Sequence, residues 1–156
     1  MKLSQLIRLA SQDAQDLSTS GTHQLDMDDW ISSRMTFNNS AQMICSVCLG
    51  GAYLVSRVNS SLKSSEGFNT YLGSLSTQDQ GDLRKKLDAL DLVRKGILKG
   101  AYYGYYYPEN SNLLKAEDNS QQVYFAGVID ETEQSQFFKQ LEERAVIIEA
   151  WELKYL

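Results

Sequence analysis

Three stretches of the chain repeat apolar residues at the three- and four-residue spacing of an amphipathic helix. They cover residues 3–17, 77–95 and 131–144. This spacing places the apolar side chains on one face, so each stretch is predicted to be a helix that packs on a common core. The predicted buried stripes are Leu3, Leu6, Ile7, Ala10, Ala14 and Leu17 in the first, Leu83, Leu87, Leu90 and Val93 in the second, and Phe137, Phe138, Leu141, Ala145 and Ile148 in the third.

Two of these helices are preceded by residues that cap a helix N-terminus. Thr77 and Gln80 have the spacing of a capping box, in which each side chain bonds to a backbone N–H at the helix start. Asp130 is followed by Glu133 at the start of the third stretch. After the second helix, Gly96 is a natural C-terminal stop because glycine readily adopts the left-handed conformation found there.

The most apolar part of the chain is the stretch from Asn39 to Val58, which holds both cysteines. Its dense apolar section is shorter than the roughly 20 residues that a membrane span needs. We therefore predict a buried central helix that begins at Asn39 or Ser40 and against which the other helices pack. Gly50 and Gly51 would lie in its middle, where the favoured explanation is close approach by another helix.

Two shorter segments flank this central stretch. Residues 25–35 are predicted to form a short helix that begins at Asp26 or Asp28. Residues 59–76 are rich in serine, glycine and asparagine, and are predicted to form a long connection. The side chains expected to pin this connection to the core are Phe68, Tyr71, Leu72 and Leu75.

The end of the chain has two interpretations. Residues 122–129 have the β-branched and aromatic content of a strand. Residues 145–156 fit either a continued helix or a strand paired with 122–129. The predicted fold class is therefore mainly α, a single-domain helical bundle over residues 1–156, with a small two-stranded β element near the C-terminus as an alternative.

Composition and charge limit the classes of function. A chain of 156 residues with 42% hydrophobic content is large enough for one well-formed core. Its net charge of −5 argues against direct nucleic-acid binding, which normally uses a basic face. Two cysteines and no secretory signal favour a reducing, cytoplasmic location, and no membrane association is expected.

The C-x-x-C motif formed by Cys45 and Cys48 is the only motif in the sequence that is known from zinc sites and redox proteins. A structural zinc site would need two more ligands, and His23 is the one histidine. A redox thiol normally lies exposed at a helix N-terminus, whereas Cys45 is predicted inside the central helix, so buried apolar packing is the favoured role. No phosphate-binding glycine loop and no nucleophile elbow occurs. We therefore expect no enzymatic activity, no metal and no cofactor.

Five tyrosines lie within residues 102–107, just before Pro108. Tyrosine suits interfaces because it offers a large, rigid contact area with a polar tip. One interpretation is that alternate tyrosines fill the edge of the core, and the other is an exposed recognition surface. The candidate binding residues are Tyr102, Tyr103, Tyr105, Tyr106 and Tyr107, together with Arg94, Lys95 and Lys99, which could neutralise a phosphate.

Two short patterns occur in order along the middle of the chain. They are C-L-G-G-A at Cys48–Ala52, and A-L-D-L-V-R-K-G at Ala89–Gly96 followed by Ala101. Their pairing resembles a loose group of small, mainly helical proteins of tailed phages and prophages, in which a C-L-A-G-A helix precedes an A-L-D-x-x-R-x-G helix. The resemblance covers about residues 36–105 and departs at Gly50, where alanine is commoner. It implies an accessory viral protein of the host cytoplasm and carries over no catalytic residues.

These observations lead to three functional hypotheses. The first is a non-enzymatic binding protein, with a host protein as partner, that inhibits a host process such as antiviral defence. The second is a protein that binds or sequesters a small nucleotide-like ligand, for which a homodimer would build a shared pocket. The third is a thiol-redox protein that uses Cys45 and Cys48.

Overall fold

The computed structural model describes residues 1–37, 41–113 and 124–156. Within these residues the chain is mainly helical and carries one small sheet in its first third. The elements in order are α1 (Leu3–Ser20), β1 (His23–Leu25), β2 (Ile31–Phe37), β3 (Ala41–Val47), α2 (Leu49–Tyr53), a π-helical turn (Leu54–Val58), α3 (Ser65–Gly73), α4 (Thr77–Arg94), the tyrosine π-helix (Gly100–Tyr106), a 3-10 helix (Pro108–Leu113) and α5 (Glu131–Tyr155).

The three long helices confirm the predicted amphipathic pattern. The stripe of α1 is fully buried at Leu3, Leu6, Ile7, Ala10 and Ala14. α1 packs along α5, and α2 packs against both α1 and α4. None of the described helices is both long enough and apolar enough to cross a membrane.

The helix starts are only partly as predicted. Asp130 is the N-cap of α5, and its carboxylate accepts hydrogen bonds from the N–H groups of Thr132 and Glu133. The capping box at Thr77 is wrong by one residue, because the cap of α4 is Ser76. A serine that precedes a threonine can serve as the cap equally well, and sequence alone does not choose between them.

The central stretch is not a single helix. The prediction from Asn39 to Val58 is wrong, because its first part is strand β3 and only its second part is helical. β3 lies in the middle of the sheet, antiparallel to β2 and parallel to β1, with Val47 level with both Ile31 and Leu25. A short apolar run has no period that distinguishes a strand from a buried helix, so pairing along both edges determines the strand.

The helix predicted at residues 25–35 is also wrong, because β2 begins within it at Ile31. Asp26 forms a turn between β1 and β2 instead of a helix cap, and its carboxylate accepts a hydrogen bond from the N–H of Asp28 at 3.1 Å. Aspartate side chains stabilise such turns as readily as helix starts, which explains the error.

Residues 59–76 contain a helix, α3, that the composition did not indicate. Ser64 caps it by accepting a hydrogen bond from the N–H of Gly67 at 3.0 Å. The predicted anchors are confirmed: Leu72 is buried, and Phe68, Tyr71 and Leu75 pack partly buried against the core.

The end of the chain is helical, since α5 extends to Tyr155. The predicted β element near the C-terminus is therefore wrong within the described residues. Residues 124–129 lie beside the loop after β1 instead, where the N–H of Met27 donates to the carbonyl of Gly127 at 2.7 Å. Residues 122 and 123, like the proposed caps at positions 39 and 40, lie outside the described residues.

Gly50 and Gly51 lie in the first turn of α2, and their close contacts are mainly with Trp30, in the loop before β2. A Cβ atom on Gly51 would lie 1.8 Å from the carbonyl oxygen of Trp30. One on Gly50 would lie 2.6 Å from a ring carbon of Trp30 and 3.4 Å from Leu87 of α4. Close packing is thus confirmed, although the main neighbour is a loop and not a helix.

Candidate functional site

A surface groove lies where α2, α3 and α4 meet, with a volume of about 320 Å³. Each wall comes from a different element, and the residues are far apart in sequence. The lining residues are Tyr53 and Val58 from α2 and its π-helical turn, Tyr71 and Leu75 from α3 and the residues after it, and Asp79, Asp82, Leu83 and Lys86 from α4.

The α4 wall follows from helix geometry. Its four lining residues are spaced as i, i+3, i+4 and i+7, so they share one face of the helix. The side chain of Gln80 donates a hydrogen bond to the carbonyl oxygen of Leu75 at 3.0 Å and so fixes the corner between α3 and α4.

The charges of the groove are mainly acidic. Asp79 and Asp82 are both exposed, and Lys86 is half-buried on the same face. Within the described chain neither carboxylate forms an ion pair, whereas Asp13 and Asp91 are both paired with basic side chains. The groove therefore offers two free acceptor groups at its α4 wall.

Tyr53 is the least exposed polar residue of the lining, at 5% of its surface. Among the described residues, its hydroxyl group has no hydrogen-bond partner. The hydroxyl itself is not a fully buried atom, so solvent reaches it although the rest of the residue is buried. Tyr53 is thus a donor or acceptor that a ligand could use.

The tyrosine segment, a predicted binding surface, is largely internal. Tyr102 and Tyr106 are buried, Tyr107 is half-buried, and Tyr105 is 43% exposed. The side chain of Tyr103 lies outside the described residues. The edge-of-core interpretation therefore holds for Tyr102, which packs against Trp151 of α5, and for Tyr106, whose hydroxyl reaches the first residue of the chain.

These tyrosines surround Trp151 of α5 and anchor the start of the chain. The ring centroid of Trp151 lies 4.9 Å from that of Tyr102 and 5.6 Å from that of Tyr107. The Tyr106 hydroxyl donates a hydrogen bond to the carbonyl oxygen of Met1 at 2.6 Å. Burial raises the pKa of Tyr106 to about 12, so this hydroxyl stays protonated. The cluster thus has a structural role that needs no ligand.

The three basic residues predicted to bind phosphate do not form a free basic cluster. Arg94 is buried, pairs with Asp91 at 2.9 Å, and donates to the carbonyl oxygen of Phe125 at 2.8 Å. Lys95 pairs with Asp91 at 3.1 Å, and Lys99 is exposed. Because Arg94 is engaged within the core, the structure weakens the argument for a nucleotide-like ligand at these residues.

The cysteines lie in different elements. Cys45 is half-buried in β3, not in a helix as predicted, because that segment is a strand. Cys48 is the buried N-cap of α2, and its sulfur accepts a hydrogen bond from the N–H of Gly51 at 3.3 Å. Burial raises the pKa of the Cys48 thiol to about 12, the opposite of what a reactive thiolate needs. The described residues contain no group of three or more potential metal ligands.

The two patterns that carry the phage resemblance meet in the structure. α2 begins at the first pattern and packs on α4, which holds the second. The charges of Asp91 and Arg94 both influence the pKa of Cys48. The contact is a packing arrangement, with Gly50 fitting against Leu87.

Comparison of the chain with protein-family models, with curated proteins and with solved structures finds no match. The assignment of the groove as a candidate site therefore depends on its geometry alone. Sequence reasoning did not select its residues. The D-x-x-D-L-x-x-K spacing of α4 places charged and apolar side chains on one helix face and could have indicated the groove wall. The same spacing is equally typical of a solvent-exposed helix face.

Proposed function

We propose that the protein is a non-enzymatic binding protein that holds a partner protein through the groove between α2, α3 and α4. The observation that carries this proposal is the groove itself, with its unpaired carboxylates and the unpartnered hydroxyl of Tyr53. Polar groups left without partners at a concave surface are the groups that a ligand would satisfy.

The size of the groove favours a partner protein over a large ligand. Its volume of about 320 Å³ is at the lower end of the range for small-molecule sites. Such a space fits one or two anchoring side chains, and these often dominate the affinity of a protein interface. The surface around the groove would supply the rest of the contact.

The phage resemblance adds a biological expectation to this proposal. An accessory phage protein that binds a host protein without catalysis would act by occupying a surface that the host process needs. The net charge of −5 favours approach to a basic partner through long-range attraction. We therefore propose inhibition of a host process, such as antiviral defence, as the outcome of binding.

The test compares capture of host proteins by the native chain and by a groove-blocked variant. Leu75→Trp places a large side chain at the groove, and Leu153→Trp is the control, because Leu153 is 75% exposed on α5. We expect a stoichiometric partner, detected by native mass spectrometry, with the native chain and the control but not with the blocked variant. Equal capture by all three proteins would contradict the proposal, provided that circular dichroism shows each to be folded.

A second candidate, a small-molecule-binding protein, is favoured by the same groove. Asp79 and Asp82 would repel phosphate, so a cationic ligand fits better than a nucleotide. Thermal unfolding in the presence of nucleotides, and separately of organic amines, shows which of these two ligand classes binds, because a bound ligand raises the unfolding temperature. Stabilisation by a nucleotide would contradict the protein-binding proposal and restore the nucleotide hypothesis.

A further inference from the structure

We infer that the groove receives a long basic side chain, arginine or lysine, from the partner protein. This inference rests on the proposed function and specifies the chemistry of its anchor. Three features of the lining support it: the unpaired carboxylates, the polar tip of Tyr53, and the apolar side chains that line the same groove.

The carboxylates provide the charge complementarity. Asp79 and Asp82 are one helical turn apart on the same face of α4. Neither is neutralised within the described chain, so a guanidinium or ammonium group would gain two acceptors without displacing an existing partner. Lys86 leaves the three charged groups of the lining with a net charge of −1, which still favours a cation.

Tyr53 provides a hydrogen-bonding group of fixed position. Its side chain is 5% exposed and lines the groove, and its hydroxyl oxygen can accept from the N–H of an arginine or a lysine. The ring of Tyr71 adds a π surface near the site, which attracts a cation.

The floor fits the aliphatic part of the same side chain. The floor consists of Val58, Leu75 and Leu83, which line the same groove as the tyrosines and the aspartates. Arginine and lysine bury their methylene stems against apolar surface while the charged end contacts polar groups. An acidic side chain would be repelled, and a short apolar one would leave the polar groups unsatisfied.

The experiment uses two pentapeptides with a central arginine or citrulline between pairs of glycines. Citrulline has nearly the same shape but no charge. Titration is followed by the amide chemical shifts of the ¹⁵N-labelled full chain. We expect the arginine peptide to shift resonances of residues 71–86 and to bind about fivefold more tightly than the citrulline peptide, with the difference reduced by salt.

Variants assign the effect to the groove. Asp79→Asn with Asp82→Asn should remove the preference for arginine, and Glu131→Gln with Glu143→Gln should keep it, since both pairs remove two exposed charges. Tyr53→Phe should weaken binding of the arginine peptide while leaving the unfolding temperature unchanged. A preference for arginine that survives Asp79→Asn with Asp82→Asn would overturn the inference.

The outcomes separate this inference from the proposed function. If both peptides bind the groove equally, the basic anchor is wrong, whereas loss of host-protein capture in Leu75→Trp would still support protein binding. Spermidine serves as the third probe, because a free polyamine also carries positive charge. If spermidine displaces the arginine peptide at a concentration below that of the peptide, the groove prefers a free polyamine. That result would overturn the assignment to a protein side chain.

Discussion

At the level of single residues, Glu152 of α5 is a carboxylate that is 1% exposed in the core. It accepts a hydrogen bond from the hydroxyl of Tyr107 and another from the N–H of Ser4. The same hydroxyl accepts from the N–H of Leu3 at 3.0 Å. Glu152 and Tyr107 thus satisfy the free N–H groups of α1, where a negative charge is favoured by the helix dipole. Burial, followed by the bond to Glu152, raises the pKa of Tyr107.

Replacement of Tyr107 by phenylalanine should lower the free energy of unfolding by about 1–3 kcal/mol, because it leaves buried polar groups without a partner. Tyr105→Phe is the matched control, since Tyr105 is partly exposed in the same π-helix. Urea denaturation measures both. If the two changes have equal effects, the network at Glu152 does not stabilise the start of α1.

His23 provides a pH test because it is the only histidine. Burial lowers its pKa below the ordinary value of 6.5, so the unfolded chain takes up a proton at a higher pH than the folded protein does. The free energy of unfolding should therefore be lower at about pH 6 than at about pH 7.5. Urea denaturation at both values tests this, and His23→Gln should lack the part of the change that comes from histidine. An identical pH dependence in the two proteins would contradict the assignment.

At the level of elements, the fit between α2 and the loop before β2 explains the sharp change from strand to helix after Val47. The carbonyl of Trp30 approaches Gly51 too closely for any side chain at that position. Glycine normally weakens a helix, by about 1 kcal/mol relative to alanine. Its presence in a helix start is therefore explained by packing, and the same packing holds β2 against the core.

Gly51→Ala should destabilise the protein by about 3 kcal/mol or more, because the new Cβ would overlap backbone atoms that cannot move freely. Gly81→Ala lies in the second turn of α4, where a Cβ would meet no atom within 4 Å. That control should stabilise the protein by up to about 1 kcal/mol. The two midpoints of thermal unfolding should therefore move in opposite directions, and a shared direction would contradict the packing argument.

At the level of the whole molecule, two arginines join distant elements in different ways. Arg8 of α1 pairs at the surface with Glu142 and Glu149 of α5. Arg144 of α5 is fully buried and donates to the carbonyl oxygens of Val93 and Arg94, at 2.8 and 3.0 Å, at the end of α4. Burial lowers the pKa of Arg144 to about 10, so it remains charged at neutral pH.

Arg144→Ala should lower the free energy of unfolding by about 3 kcal/mol or more, since it leaves a cavity in the core and removes two hydrogen bonds from a charged donor to the end of α4. Arg8→Ala should cost about 1 kcal/mol or less, because solvent screens a surface ion pair. Chemical denaturation at low and high salt distinguishes them. The effect of Arg8→Ala should shrink in high salt, and similar losses for both variants would contradict this account.

The sequence by itself determined α1, α4 and the first part of α5 over residues 131–144, with most of their buried faces, and the start of α5 at Asp130; it left residues 145–156 open between helix and strand. These features depend on side chains within a few turns of one another, so their spacing is sufficient. It also identified the anchors of the 59–76 connection, since large apolar side chains in a polar segment gain free energy by packing against the core.

The tertiary structure decided the rest. The segment at 41–47 is a strand because neighbours pair with both of its edges, and the apolar pattern alone fits either state. Tyr102 is buried against Trp151, Tyr106 is buried where its hydroxyl reaches the carbonyl oxygen of Met1, and Arg94 is withdrawn from solvent by Asp91 and Phe125. The groove adds Tyr53 and Val58 to lining residues that all lie within residues 71–86, and no local pattern predicts that these two parts of the chain meet. The Tyr53 wall meets the α4 wall because α2 packs against α4, and this depends on contacts between residues distant in the chain.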